Sequence, residues 1–144
     1  MELTNTLEFS YATKSDKPYW FTPDKHIQEH ELDLKFRDKR AYVLHKGNKP
    51  IGIVRYNLFW DNIPFLTLIH IEEPHHGMGY GKQFLLHWES EMRKLGYKMV
   101  MTSTQVDEQA QHFYSKLGYI ARGSLSFDGM PFEQPMEMIM IKPL

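Results

Sequence analysis

Hydrophobic and polar residues along the 144-residue chain follow two different periods. Leu7 to Thr13 alternates apolar with polar, the spacing of a half-buried strand. Pro23 to about Lys39 is charged and helical in period, with Thr22 as N-cap and Pro23 at the first helical position. Its stripe of Ile27, Leu32, Leu34 and Phe36 is imperfect, so a break in this helix is expected. Ala41 to Lys46, Ile51 to Phe59 and Phe65 to Ile71 predict three strands. The turns Gly47-Asn48-Lys49-Pro50 and Asp61-Asn62-Ile63-Pro64 join them into an antiparallel meander. The third strand is apolar enough for the middle of a sheet. After Gly77-Met78-Gly79-Tyr80-Gly81 a helix begins, with Phe84, Leu85, Trp88, Met92 and Leu95 on one face and Gly96 as its stop. Tyr97 to Ser103 predicts a strand. Asp107 to Leu117 predicts a helix with Ala110, Phe113, Tyr114 and Leu117 on its apolar face and Gly118 as its stop. Tyr119 to Phe127 and Met136 to Lys142 predict two closing strands. This order gives a mixed α/β sheet with helices packed on it. No repeat, linker or low-complexity tract divides it, so a single domain over residues 1–144 is expected.

Composition narrows the chemistry. There are 17 Lys plus Arg against 18 Asp plus Glu and no cysteine. Without cysteine there is no disulfide scaffold, thiolate metal site, redox pair or cysteine nucleophile. The near-zero net charge offers no general attraction to nucleic acid or an anionic membrane. No stretch approaches 18 apolar residues, and Met1 to Asn5 lacks the basic-then-apolar order of a signal peptide. A soluble, cytoplasmic protein is expected, acting on a small molecule or another protein.

The strand-to-helix junction from Ile71 to Lys82 carries the strongest chemical signal. Glycines two apart at a helix start free backbone N–H groups to face outward, where they and the helix dipole suit a phosphate or pyrophosphate. A P-loop would need Ser or Thr after Gly81-Lys82, where Gln83 stands. A Rossmann fingerprint would need a parallel sheet, whereas antiparallel hairpins precede this loop.

His76-Gly77-Met78-Gly79-Tyr80-Gly81 resembles the Arg/Gln-x-x-Gly-x-Gly/Ala loop of the GNAT superfamily of N-acetyltransferases, with His76 in the Arg/Gln place. The segment from Asp107 to Tyr119 resembles the family's Asn-x-x-Ala-x-x-x-Tyr-x-Lys-x-Gly-Phe/Tyr, with Asp107 in place of Asn and Ala110, Tyr114, Lys116, Gly118 and Tyr119 fitting. The resemblance implies the GNAT fold: a mixed, mostly antiparallel sheet of about seven strands, splayed at the coenzyme site and flanked by helices. It also implies transfer of acetyl from acetyl-CoA to an amine of a small molecule or peptide in a ternary complex, without metal. The backbone of Ile69 and Ile71, the loop from His76 and Gly77 through Met78, Gly79, Tyr80 and Gly81 to Lys82, and Asp107 and Tyr114 would hold the coenzyme. Tyr114 would be the general acid toward the departing sulfur, its phenol protonated at neutral pH.

The positions where the family places its base are Phe65 and Thr67, which cannot usefully accept a proton, so Asp61, His70, Glu72 or a water chain alone are the candidates. The acceptor side, by the same resemblance, comes from the first helices, the turn after Phe59 and the closing strand pair. Trp20, Glu31, Trp60 and Asp61 are its candidate residues, in an aromatic and acidic setting suited to a cationic amine. The cleft would serve a monomer or homodimer equally. Two other readings stand beside this one. A GNAT-fold module could hold acyl-CoA without catalysis. Separately, His26-Ile27-Gln28-Glu29-His30 spells a zinc-peptidase string, with His26, Glu29 and His30 in one predicted helix.

Overall fold

The computed structural model describes residues 6–144; the Met1–Asn5 segment read for a signal peptide lies outside the described residues. Among the described residues there are seven strands and four α-helices. They are β1 (Leu7–Tyr11), α1 (Lys17–Trp20), α2 (Glu29–Asp38), β2 (Ala41–Lys46), β3 (Lys49–Phe59), β4 (Ile63–Ile71), α3 (Tyr80–Lys94), β5 (Met99–Gln105), α4 (Ala110–Lys116), β6 (Ile120–Leu125) and β7 (Glu137–Pro143). The strands hydrogen-bond in the order β1-β2-β3-β4-β5-β7-β6. β4 and β5 run parallel, while β1 with β2, β2 with β3, and β7 with both β5 and β6 run antiparallel. This is the mixed, mostly antiparallel sheet of seven strands that the resemblance implies.

The chain forms two compact units, residues 6–57 with 68–91 and residues 58–67 with 92–144. In the first, Ala12, Trp20, Leu32, Ala41, Val43 and Ile53 form a buried cluster, with Tyr19, Phe21, Ile27, Phe36 and Leu68 packed against it. Phe84, Leu85 and Trp88 of α3 are fully buried; each such side chain contributes about 1.5–3 kcal/mol. In the second unit the buried residues include Val100, Met101 and Thr102 of β5, Tyr114, Tyr119, and Met140 of β7.

Several boundaries differ from the sequence expectation. The helix expected from Pro23 begins at Glu29, and a short helix, α1, precedes it with Pro18 in its first turn. The cause is Asp24, whose buried carboxylate accepts from the Trp20 indole and from the backbone amides of His26 and Ile27. Those bonds hold the stretch between the helices in a turn, while Thr22 donates back to the Tyr19 carbonyl instead of capping a helix. β3 begins two residues earlier than predicted because Pro50 lies opposite His45 at a register shift, which accommodates its missing N–H. Leu95, expected on the buried face of α3, is 62% exposed, since the helix ends at Lys94 and Gly96 (φ +93°) turns the chain. α4 starts at Ala110 instead of Asp107, because the Gln111 amide closes a turn on the Val106 and Glu108 carbonyls.

Candidate functional site

The glycine loop lies in the first unit. A 3-10 turn, Glu73–His75, follows β4, and α3 begins at Tyr80. Gly77 (φ +79°) and Gly79 (φ +80°) occupy the left-handed region that favours glycine. A Cβ built on either would meet nothing within 4 Å, so the protein leaves open space along this backbone. The Gln83 amide donates to the Gly79 carbonyl at 3.0 Å, marking the first helical turn. The amides of Tyr80, Gly81 and Lys82 therefore belong to the helix-start donors that have no acceptor within the helix. Together with the positive end of a 15-residue helix dipole, they form a cradle that fits a pyrophosphate. Lys82 and Met78 are exposed beside it.

Two contacts at this loop had no sequence signal. Lys46, at the end of β2, places its Nζ 5.3 Å from the centre of the Tyr80 ring. His76 turns its ring back to the strand, with Nε2 2.6 Å from the Ile71 carbonyl. A carbonyl only accepts, so Nε2 donates. The residue in the family's Arg/Gln place thus pins the loop to the end of β4. Ile71 itself is buried and Ile69 half-buried.

The three candidate bases separate. Asp61 sits with Trp60 in the β3–β4 turn of the second unit, both exposed and both at positive φ. His70 on β4 and Glu72 just beyond it come together in the first unit, with Nε2 to Oε2 at 3.3 Å. The same Glu72 oxygen accepts a hydrogen bond from the Tyr19 hydroxyl at 2.8 Å. Burial, and then that bond, push the Tyr19 phenol well above its ordinary pKa, so it remains a donor at neutral pH. Tyr19 and Glu72 are 53 positions apart, which is why no local pattern links them.

In the second unit Tyr114 is 6% exposed, with its ring edge-on to Phe113 and Tyr119 at 5.3 and 5.4 Å. Burial raises its pKa, the Thr102 side chain lowers it and the Glu108 charge raises it, leaving it above the ordinary phenol value. It is protonated at neutral pH, as an acid must be. Thr102 also donates to the Leu66 carbonyl of β4. Asp107 lies exposed in the turn before α4.

Among the proposed acceptor residues, Trp20 must be corrected. It has no exposed surface, and its indole is spent on Asp24, so it is a core residue. Glu31 is exposed in the first turn of α2, and Trp60 is 80% exposed with its ring 4.7 Å from Phe59. The zinc string also fails. His26 lies ahead of α2, so it does not share a helix face with His30, and among the described residues no cluster of three or more His, Asp or Glu could hold a metal.

Residues 6–119 match the family model for the acetyltransferase (GNAT) family. No curated protein matches the sequence. Among solved structures, Ard1 from Thermoplasma volcanium superposes with a TM-score of 0.81 at 15% identity, covering 96% of this chain and 97% of that one. Arabidopsis thaliana Naa50 in complex with the bisubstrate analogue CoA-Ac-MVNAL gives 0.79 at 11% identity, over 96% and 99% of the two chains. The ribosomal-protein-S18-alanine N-acetyltransferase from Escherichia coli gives 0.78 at 16%, over 96% and 94%. Among the described residues no helix is long and apolar enough to cross a membrane.

Proposed function

Because this chain belongs to the acetyltransferase (GNAT) family, we propose that it transfers acetyl from acetyl-CoA to the amine of a small molecule or peptide, as one catalytic domain acting in the cytoplasm as a monomer or homodimer. The observation that carries the reading is the loop before α3, where two left-handed glycines and a row of helix-start amides leave an open, donor-lined cradle. Bound there, acetyl-CoA would supply the thioester. The amides of Tyr80, Gly81 and Lys82 would hold its pyrophosphate, and Lys82 would add charge nearby.

His70 takes the base role in this proposal. Of the three candidates, it has a neighbouring carboxylate, Glu72, to stabilise the imidazolium that forms. It accepts the proton that the attacking amine loses as the C–N bond forms. Tyr114 donates its proton to the sulfur as the C–S bond breaks, and the products are an amide and the coenzyme's thiol. No protein thiol exists, so an acetyl-cysteine intermediate is excluded, and the proposed transfer is direct. Aromatic Trp60 beside Asp61 suits an acceptor that arrives as a cation.

Calorimetric titration with CoA tests the cradle. The parent should bind, and Gly79→Glu, which fills the open space with a like-charged side chain, should weaken binding at least tenfold. Unchanged affinity in Gly79→Glu would remove the loop from the site.

A further inference from the structure

Tyr19 belongs to α1, in the first unit, and packs against the buried cluster there. Its hydroxyl reaches 2.8 Å to Glu72 Oε2, and His70 Nε2 lies 3.3 Å from that same oxygen. We infer that Tyr19 is a positioning residue for the base, acting through Glu72; this rests on the assignment of His70 above.

The argument runs through one shared oxygen. The Glu72 side chain is 34% exposed and His70 38%, so neither is locked by packing alone. A half-exposed carboxylate on a flexible stem samples several rotamers. The phenol of Tyr19 holds it in one, because the ring is itself fixed against the core. The phenol stays protonated, so the pair resolves as a neutral donor to a carboxylate and not as a shared proton. A carboxylate beside Nε2 favours the imidazole tautomer with its proton on Nε2. The lone pair then lies on Nδ1, and Nδ1 is the atom that receives the amine proton. Without Tyr19, Glu72 would turn toward water and His70 would divide between tautomers and rotamers. The short helix α1 thereby has a role beyond covering the sheet: it sets which nitrogen of His70 is basic.

The test compares parent, Tyr19→Phe, Glu72→Gln, the double variant and His70→Gln. Two readouts are taken: the 15N resonances of the His70 ring, which need no acceptor, and kcat and KM with the best acceptor from a panel of aminoglycosides, polyamines, amino acids and free-amine peptides. Tyr19→Phe keeps the ring and its packing. It should lower kcat roughly three- to tenfold, leave the KM for acetyl-CoA unchanged, and turn a single Nε2-protonated His70 signal into a tautomer mixture. In the Glu72→Gln background it should have no further effect. Loss of turnover in His70→Gln together with a parent-like Tyr19→Phe, or a Tyr19→Phe effect undiminished by Glu72→Gln, would overturn the inference alone. Full turnover in His70→Gln would overturn the base assignment and this inference with it.

Discussion

Replacing Asp24 by Asn preserves the side chain's volume but removes the carboxylate that Arg55 meets at hydrogen-bond distance. Asp24 Oδ2 accepts from Arg55 Nε at 2.8 Å and from Trp20 Nε1 at 3.0 Å. The Asp24 side chain is 0% exposed and that of Arg55 is 12% exposed. Burial alone would raise the carboxyl's pKa. The hydrogen bond and charge of Arg55, with the Trp20 and His26 bonds, outweigh it and hold the group below its ordinary value. Breaking such a buried pair from one side leaves an uncompensated cation and costs about 3–5 kcal/mol; the slight exposure of Arg55 places this case near 3. A protein of this size has about 5–15 kcal/mol in total, and each kcal/mol moves Tm by about 2–4 °C. Asp24→Asn should therefore melt roughly 6–12 °C lower, measured by circular dichroism with urea titration as a check. Pairing it with Arg55→Met should recover more than half of the loss, since an apolar replacement of a buried pair is close to neutral. The pH dependence has a definite sign. A depressed carboxyl stabilises fully above its unfolded pKa of about 3.9 and loses that contribution as pH falls through the lower folded value. The gap between parent and Asp24→Asn should be constant from about pH 8 to 5 and close below about pH 4. A gap under about 1 kcal/mol at pH 7, or one that widens in acid, would refute the reasoning.

Three further outcomes follow from particular contacts. Tyr114→Phe should lower kcat about a hundredfold with little change in the KM for acetyl-CoA, the signature of a lost proton donor; full turnover at neutral pH would remove Tyr114 from the mechanism. Gly52→Ala places a Cβ 2.7 Å from the His70 carbonyl oxygen and 2.8 Å from Ile71 Cδ1. It should cost about 1–3 kcal/mol in urea unfolding and also lower kcat by moving the backbone of His70; a parent-like variant would mean that the two strands separate freely. Trp60→Gly should raise stability by about 1 kcal/mol, because a bulky residue at φ +56° is strained and this one is 80% exposed; a lower urea midpoint would show that the tilted Phe59–Trp60 ring contact outweighs the strain.

The elements that could be read from the sequence are those whose signals are local. Leu7–Tyr11 announces itself by alternation, Ala41–Lys46 by an apolar run ending at the Gly47-Asn48 turn, and α3 by the spacing of Phe84, Leu85, Trp88 and Met92. The glycine loop was legible because positive φ at Gly77 and Gly79 demands glycine at those positions. What stayed hidden depends on residues far apart in the chain. Pro23 looked like a helix start until the Asp24 carboxylate, tied to Arg55 and to Trp20, turned the chain there. Trp20 looked like a binding aromatic because aromatic character does not reveal burial. His70 and Glu72 could be named individually as candidate bases, but the Tyr19 hydroxyl that bonds Glu72 comes from α1, far away in the chain. Phe65 and Thr67 leave the strand positions where the family places its base without a proton acceptor, and nothing local to them says which residue would serve instead.

Release of free thiol from acetyl-CoA, followed with a thiol reagent while aminoglycosides, polyamines, amino acids and free-amine peptides are offered in turn, tests the central claim most directly. The cysteine-free protein contributes no background thiol of its own. The account predicts amine-dependent thiol release in step with acetylated product for at least one class, abolished in Gly79→Glu. Tight CoA binding with no release above hydrolysis across the whole panel would contradict it and leave an acyl-CoA-holding module in place of an enzyme.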